Sequence, residues 1–207
     1  MDTYPYFAEL ARCEKRNEDY AIICRNLHSS VAVMAPHGGG IEPGTVDIAD
    51  AIAGDTFTFY AFKGLKRTGN KVLHLNSNSF DEPLAGKVSH EAEVVVSIHG
   101  AHGEDDIVLV GGRHEELKQA LMLALRAGGF KATICEIPGL RGIQPDNLCN
   151  RCRTGKGVQL EISRGLREKL FDQLGHRSLR VKTVLFFRFV DIVKGVLSSY
   201  SQEQEPN

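Results

Sequence analysis

The sequence predicts an α/β chain: an open, mixed or mostly parallel sheet flanked by helices. Three observations carry that expectation. Short apolar runs alternate with helix-period segments along the chain. Several of those runs, such as VAVMA (Val31 to Ala35) and EVVVSI (Glu93 to Ile98), are continuously apolar, as suits central strands covered on both faces. Polar, glycine-rich clusters sit where such runs stop, and open α/β sheets carry their sites at the carboxyl ends of strands.

The elements follow in order. Tyr6 to Lys15 reads as a helix and Tyr20 to Cys24 as a short apolar run. Val31 to Ala35 is a strand expected to end at Pro36-His37-Gly38-Gly39-Gly40. Thr45 to Ala53 has helical spacing and stops at Gly54. Thr56 to Phe62, aromatic and β-rich, is a strand, and Val72 to Leu75 is a further strand candidate. Glu93 to His99 and Ile107 to Val110 continue the sheet. His114 to Ala127 is the clearest amphipathic helix, with Leu117, Leu121, Ala124 and Leu125 on one face. Lys131 to Glu136 is a strand, and Leu140 to Gly157 a long loop of the kind that often carries function. Val158 to Ser163 is a strand, Leu166 to Gln173 a helix, and Leu179 to Tyr200 a closing helix. One domain is expected over 1–207, with about 201–207 as a frayed tail.

Composition narrows the function. The 207 residues carry 25 Lys+Arg against 26 Asp+Glu, a formal charge of -1. That balance argues against a non-specific nucleic-acid binder, while leaving room for a local basic cleft. Hydrophobic residues make up 42% of the chain, with 21 Gly, which is globular usage. The first twenty residues hold early acids and no apolar core, unlike a secretion signal. Val184 to Val196 is interrupted by Arg188, Asp191 and Lys194, unlike a membrane span. The 5 Cys lack framework spacing and read as reduced thiols. The expectation is a protein cytoplasmic at synthesis, without a membrane partner, and monomeric.

Three polar clusters carry the chemistry. His37-Gly-Gly-Gly-Ile-Glu42 follows VAVMA, His99-Gly-Ala-His102 follows EVVVSI, and Glu161 lies in VQLEIS. A catalytic zinc site needs three His, Glu or Asp ligands and an open position. His37, Glu42 and His99 would supply them, with His102 competing for the place of His99; His99 is favoured because it lies nearer the strand end. Glu161 alternates with Val158, Leu160 and Ile162. An acid in a buried strand needs a reason, and a general base acting on water is one.

Other readings stay open on spacing alone. HGGG could be a plain tight turn, a phosphate cradle, or a hydrolase oxyanion loop, although no G-x-S-x-G elbow accompanies it. Glu161 could pair with Arg164 or Arg167. Cys149-Asn-Arg-Cys152 is a lone C-x-x-C without partner ligands. Arg141, Asn147, Asn150, Arg151, Arg153, Lys156, Arg164 and Arg167 could form a solvated face or hold carboxylates, and Arg113 is another strand-end cation.

PHGGGIEPGT (36–45), SIHGAHG (97–103), IQPDNLCNR (143–151) and GKGVQLEISRGLR (155–167) together resemble the poly-gamma-glutamate hydrolase family of phages and bacteria. The resemblance runs from the first strand to Arg167. It implies a zinc-carboxypeptidase-like fold and a single zinc-hydrolase domain. It implies one catalytic Zn2+ on His37, Glu42 and His99, with Glu161 as general base on the zinc-activated water. The implied substrate is the anionic polymer poly-gamma-glutamate, cut at its γ-amides. Arg151 and Arg164 lie within matching blocks, and with Asn150 and Arg113 they are the expected substrate-binding residues. In a phage such an enzyme would degrade a host capsule after release by lysis. The alternatives are a related zinc amidase on another acidic amide, or a non-catalytic module that binds an anionic polymer.

Overall fold

A computed structural model describes residues 2–204. Seven strands form one mixed sheet: β1 (Tyr20–Arg25), β2 (Val31–Gly39), β3 (Thr58–Gly64), β4 (Val94–Gly100), β5 (Ile107–Gly112), β6 (Lys131–Ile134) and β7 (Val158–Ile162). Their order across the sheet is β1-β3-β2-β4-β7-β5-β6. Strands β3, β2, β4 and β7 run parallel, β1 is antiparallel to β3, and β5 is antiparallel to β7. The carboxyl ends of β2, β4 and β7 therefore share one edge, and that of β5 lies at the other.

Alternation decides which side chains meet which layer. Val31, Val33 and Ala35 of β2, Val94, Val96 and Ile98 of β4, and Val158, Leu160 and Ile162 of β7 share one core. That face is covered by helices α2 (Thr45–Ala53), α4 (Glu115–Ala127), α5 (Arg164–Leu170) and α6 (Val184–Gln204). Ile48 and Ile52, one turn apart on α2, are both fully buried there, and truncating either to Ala would cost about 2–5 kcal/mol. The opposite face packs Met34, Tyr60, Phe62 and Val95 with Leu10 of α1 (Phe7–Cys13) and Val88 of α3 (Pro83–Glu91). On that second face His99, Gln159 and Glu161 take the alternate positions, which is how buried polar groups come to stand beside an apolar sheet.

Several expectations change. β2 does not stop at Pro36: it runs through Gly39, with a register shift between Ala35 and Gly38. Proline lacks a ladder N–H and is tolerated at such an irregularity. Beyond it the glycines permit contact that no side chain would allow. A Cβ on Gly38 would lie 2.1 Å from Val46 Cγ2, and one on Gly39, whose φ is +68°, would lie 2.3 Å from the Gly64 carbonyl oxygen. Val72 to Leu75 is not a strand; Asn70–Leu73 is a 3-10 turn. Helix α3 carries no sequence expectation, yet Pro83 opens it and Glu82 caps Leu84 N and Ala85 N, a recognisable start. The Leu140 to Gly157 loop contains a 3-10 turn at Leu148–Arg151. α5 ends at Leu170, and a short ladder of Phe171–Asp172 with Val181–Lys182 follows. The closing helix begins at Val184 rather than Leu179 and continues to Gln204 through the start of the expected frayed tail; residues 205–207 lie outside the described residues. Among the described residues no helix is long and apolar enough to cross a membrane.

Candidate metal centre and its cavity

His37 sits in the last turn-inward stretch of β2, and the chain then doubles back so that Glu42 N donates to the His37 carbonyl at 2.8 Å. This tight return brings Glu42 under His37. His99 is the penultimate residue of β4. The result is a cluster in which His37 Nδ1 and His99 Nδ1 are 3.1 Å apart. Glu42 Oε1 is 3.2 Å from His37 Nδ1, and Glu42 Oε2 is 3.9 Å from His99 Nδ1. One ligand atom from each residue lies within 4.8 Å of the others. His102 is exposed in the surrounding wall and outside this cluster.

The supports are specific. His37 Nε2 is 2.7 Å from the Leu75 carbonyl. It must donate there, which leaves Nδ1 as the lone-pair nitrogen, the arrangement seen behind metal-bound histidines. Glu42 Oε2 accepts from Gly100 N at 2.8 Å. Three acceptors facing one point require a cation between them, either a proton or a metal. Their spacing is close to the ~3.3 Å expected between tetrahedral ligands at ~2.0–2.1 Å from zinc. His99 Nε2 is buried without a partner, so the ring's polar contacts are all on its Nδ1 side. The donor set fits a His2Glu zinc site.

The three groups also shift one another's titration. Burial opposes a charged His37, but the Glu42 carboxylate beside it outweighs this and raises its pKa. Burial also works against the Glu42 anion, yet His37 and then His99 hold its pKa down to about 2. Burial, helped by the charge of His37, pushes His99 down to about 3.

Glu161 occupies the middle of β7, directly in register with His99. Burial and the nearby Glu42 charge raise its pKa to about 8. Its Oε1 accepts from Gln159 Nε2 at 2.8 Å, and Gln159 Oε1 accepts from Asn147 Nδ2 at 3.2 Å. Gln159 and Asn147 thus orient the carboxylate. The suggested pairing of Glu161 with Arg164 or Arg167 does not form. Arg164 pairs with Glu168. Arg167, buried, spans three strand-end carbonyls: Ile162 at 3.1 Å, Pro43 at 2.8 Å and Ala101 at 2.9 Å.

These groups line a cavity of about 1530 Å³. Of the substrate-binding residues expected from sequence, only Arg164 lines it. Arg113 follows β5, whose antiparallel course carries it to the opposite edge, where its N–H meets the Gly157 carbonyl before β7 begins. Asn150 is buried as a structural clamp, its Nδ2 donating to the Gly142 and Gln144 carbonyls and its Oδ1 accepting from Gly157 N. Arg151 lies behind the wall, tying Asp146 to Ser77 through their carbonyls. The cavity's cations are instead Lys66, Arg67, Lys71, Arg164, Arg177 and Arg180, with the buried Arg167 at its floor. Most come from two turns whose basic runs, KGLKRTGNK (63–71) and GHRSLR (175–180), are the only signal in the sequence. Cys149 and Cys152 are buried and free, and burial pushes the Cys149 thiol up to about 12, which leaves it unreactive.

Residues 4–192 match the sequence model of the family described as poly-gamma-glutamate hydrolase. The protein YmaC of Bacillus subtilis (strain 168), a UPF0714 protein, is 38% identical over 199 residues, covering 95% of this chain and 84% of its own. The structure of a bacteriophage poly-gamma-glutamate hydrolase superposes with a TM-score of 0.94 at 32% identity, covering 99% of this chain and all of the other. A zinc-free structure of YndL superposes at 0.91 with 35% identity, covering 97% of this chain and 99% of the other.

Proposed function

The chain belongs to the poly-gamma-glutamate hydrolase family, and from that premise we propose that it hydrolyses γ-glutamyl amide bonds with one zinc ion held by His37, Glu42 and His99 and with Glu161 as general base. The observation that supports this most is the convergence of the three ligand atoms beside Glu161, at the floor of a cavity rich in cations. When bound, zinc would supply Lewis acidity toward the scissile carbonyl and the attacking water.

The chain's own residues supply the rest. Leu75 and Gly100 fix the ligands from behind. Gln159 holds Glu161 by Oε1, leaving Oε2 to take the proton of the attacking water and pass it to the leaving amide nitrogen. Arg67 and Lys71, exposed in the cavity wall, would hold the α-carboxylates that a γ-linked polyglutamate carries on every unit, whereas Arg180 is tied to Asp47 and the Leu174 carbonyl and Arg177 to the Gly64 carbonyl. The positive cavity draws that polyanion in despite a net charge of -1 on the chain.

The test is a substrate panel with zinc-loaded protein: poly-γ-glutamate, an N-acylated glutamate and a peptidoglycan peptide, each followed for new amines. Shortening of poly-γ-glutamate is the expected result. Turnover of another acidic amide alone would move the substrate assignment, and turnover of none would end the hydrolase reading.

A further inference from the structure

One short segment serves both the metal centre and a second group. Leu75 gives its carbonyl to His37 Nε2. The residues on either side of it, His74 and Asn76, both bind the carboxylate of Asp2. His74 Nδ1 is 2.8 Å from Asp2 Oδ1, and Asn76 N donates to Asp2 Oδ2 at 2.6 Å. Two donors thus take the two oxygens of one carboxylate. The His74 ring lies against His37, with centroids 4.0 Å apart and planes inclined by 31°. The Asp2 carboxylate oxygen can only accept, so His74 Nδ1 carries the hydrogen and donates. Asp2 therefore places a carboxylate one imidazole ring away from the metal ligands, in a cavity whose other charged lining residues, apart from Glu42 and Glu161 of the site itself and the histidines, are cations.

Asp2 also stands at a divide. It and Asn76 line the main cavity, and both line a second hollow of about 580 Å³ together with Pro5 and Ser79. Its tether is short: only residues 3–6 separate it from α1, which is pinned where Phe7 N donates to Asp81 Oδ1 at 2.6 Å. A carboxylate held this way competes at high effective concentration with any free one.

We infer that His74 Nδ1–H and the Asn76 N–H form a subsite for a substrate carboxylate next to the reacting centre, and that Asp2 fills it in cis until substrate displaces it. This rests on the hydrolase reading, in which each γ-linked unit presents one α-carboxylate near the scissile amide. Displacing Asp2 frees both donors and joins the cavity to the second hollow, so that the polymer runs past the metal centre on this side.

The test measures binding, apart from turnover. Zinc-loaded protein carrying Glu161→Gln is titrated calorimetrically with the dipeptide γ-glutamyl-glutamate and with its α-carboxamide analogue. Adding Asp2→Ala is expected to tighten the dipeptide about threefold or more, since a site occupied in cis weakens apparent affinity by its free fraction. Asp2→Asn, which keeps the shape and loses the charge, is expected to give part of that gain. The gain should vanish with the carboxamide and in Asp2→Ala/His74→Ala. Equal or weaker dipeptide binding by Asp2→Ala, no binding at all, or a gain that survives His74→Ala or the carboxamide would overturn the inference. Failure of the wild type to turn over any amide of the substrate panel would end the hydrolase reading instead, and would leave the dipeptide result to stand on its own.

Discussion

His99 and Glu161 are register partners across the parallel pair β4–β7, so their side chains rise from adjacent positions on the same face of the sheet. That one pairing places a candidate metal ligand and a candidate base side by side without any loop to position them. Groups held on strands keep their geometry better than groups on loops. It also explains why Glu161 tolerates burial: the strand buries its backbone, Gln159 satisfies one oxygen, and a cation at the ligand cluster would satisfy the rest.

The pairing separates two kinds of loss. Glu161→Gln should keep the metal and the fold but lower kcat by about 10²–10⁴-fold, the usual worth of a general base. KM should change little. Steady-state kinetics on poly-γ-glutamate check this; a variant within tenfold of wild-type kcat would remove Glu161 from the reaction.

The cationic wall should show itself in KM and in salt sensitivity. Arg67 and Lys71 are exposed in the wall, so Arg67→Ala/Lys71→Ala should raise KM for the polymer several-fold and flatten its dependence on salt, because screened charge contributes less. Arg113→Ala, at the opposite edge, should leave both unchanged. An equal effect of the two variants would contradict the assignment of the wall.

Arg167 joins the three strand ends that carry the site. Its guanidinium packs so closely on Gly100 that a Cβ there would lie 2.7 Å from Arg167 Cζ. Arg167→Met would strand the carbonyls of Pro43, Ala101 and Ile162 and should cost about 2–4 kcal/mol of unfolding free energy, read by denaturant unfolding. A loss below about 0.5 kcal/mol would show that water replaces the guanidinium without penalty.

A separate titration tests the opposite face. Tyr60 is fully buried and donates to Glu82 Oε2 at 2.7 Å. Burial first, and then the Glu82 charge, raise its pKa well above the ordinary 10.0. A group whose folded pKa is raised contributes stability in full below its unfolded pKa, and loses it as pH rises towards the folded value. The stability difference between wild type and Tyr60→Phe should therefore shrink as pH goes from about 9 to 11. A constant difference would contradict the burial assigned to this phenol.

Much of this was legible before the structure. The 3.6-residue spacing of α2 and α4, and the unbroken apolar runs of β2, β4 and β7, name their own elements because burial alone dictates them. The grouping of His37, Glu42 and His99 was legible because these residues stand at or beside strand ends. Strand direction was not. Nothing in VLVGG distinguishes a parallel from an antiparallel strand, and that is why Arg113 was expected at the wrong edge. Nor could composition tell a binding amide from a structural one: Asn150 looks alike in either role until its three backbone partners are seen. The cationic wall stayed hidden because it joins turns more than a hundred residues apart, which only the fold brings together.

The most direct measurement pairs bound zinc with polymer length. Wild type and Glu161→Gln would be purified without chelators, assayed for zinc, and incubated with poly-γ-glutamate for separation on a gel. The account predicts about one zinc per chain in both and shortening by the wild type alone. Absence of zinc from both proteins, or equal shortening by both, would contradict it.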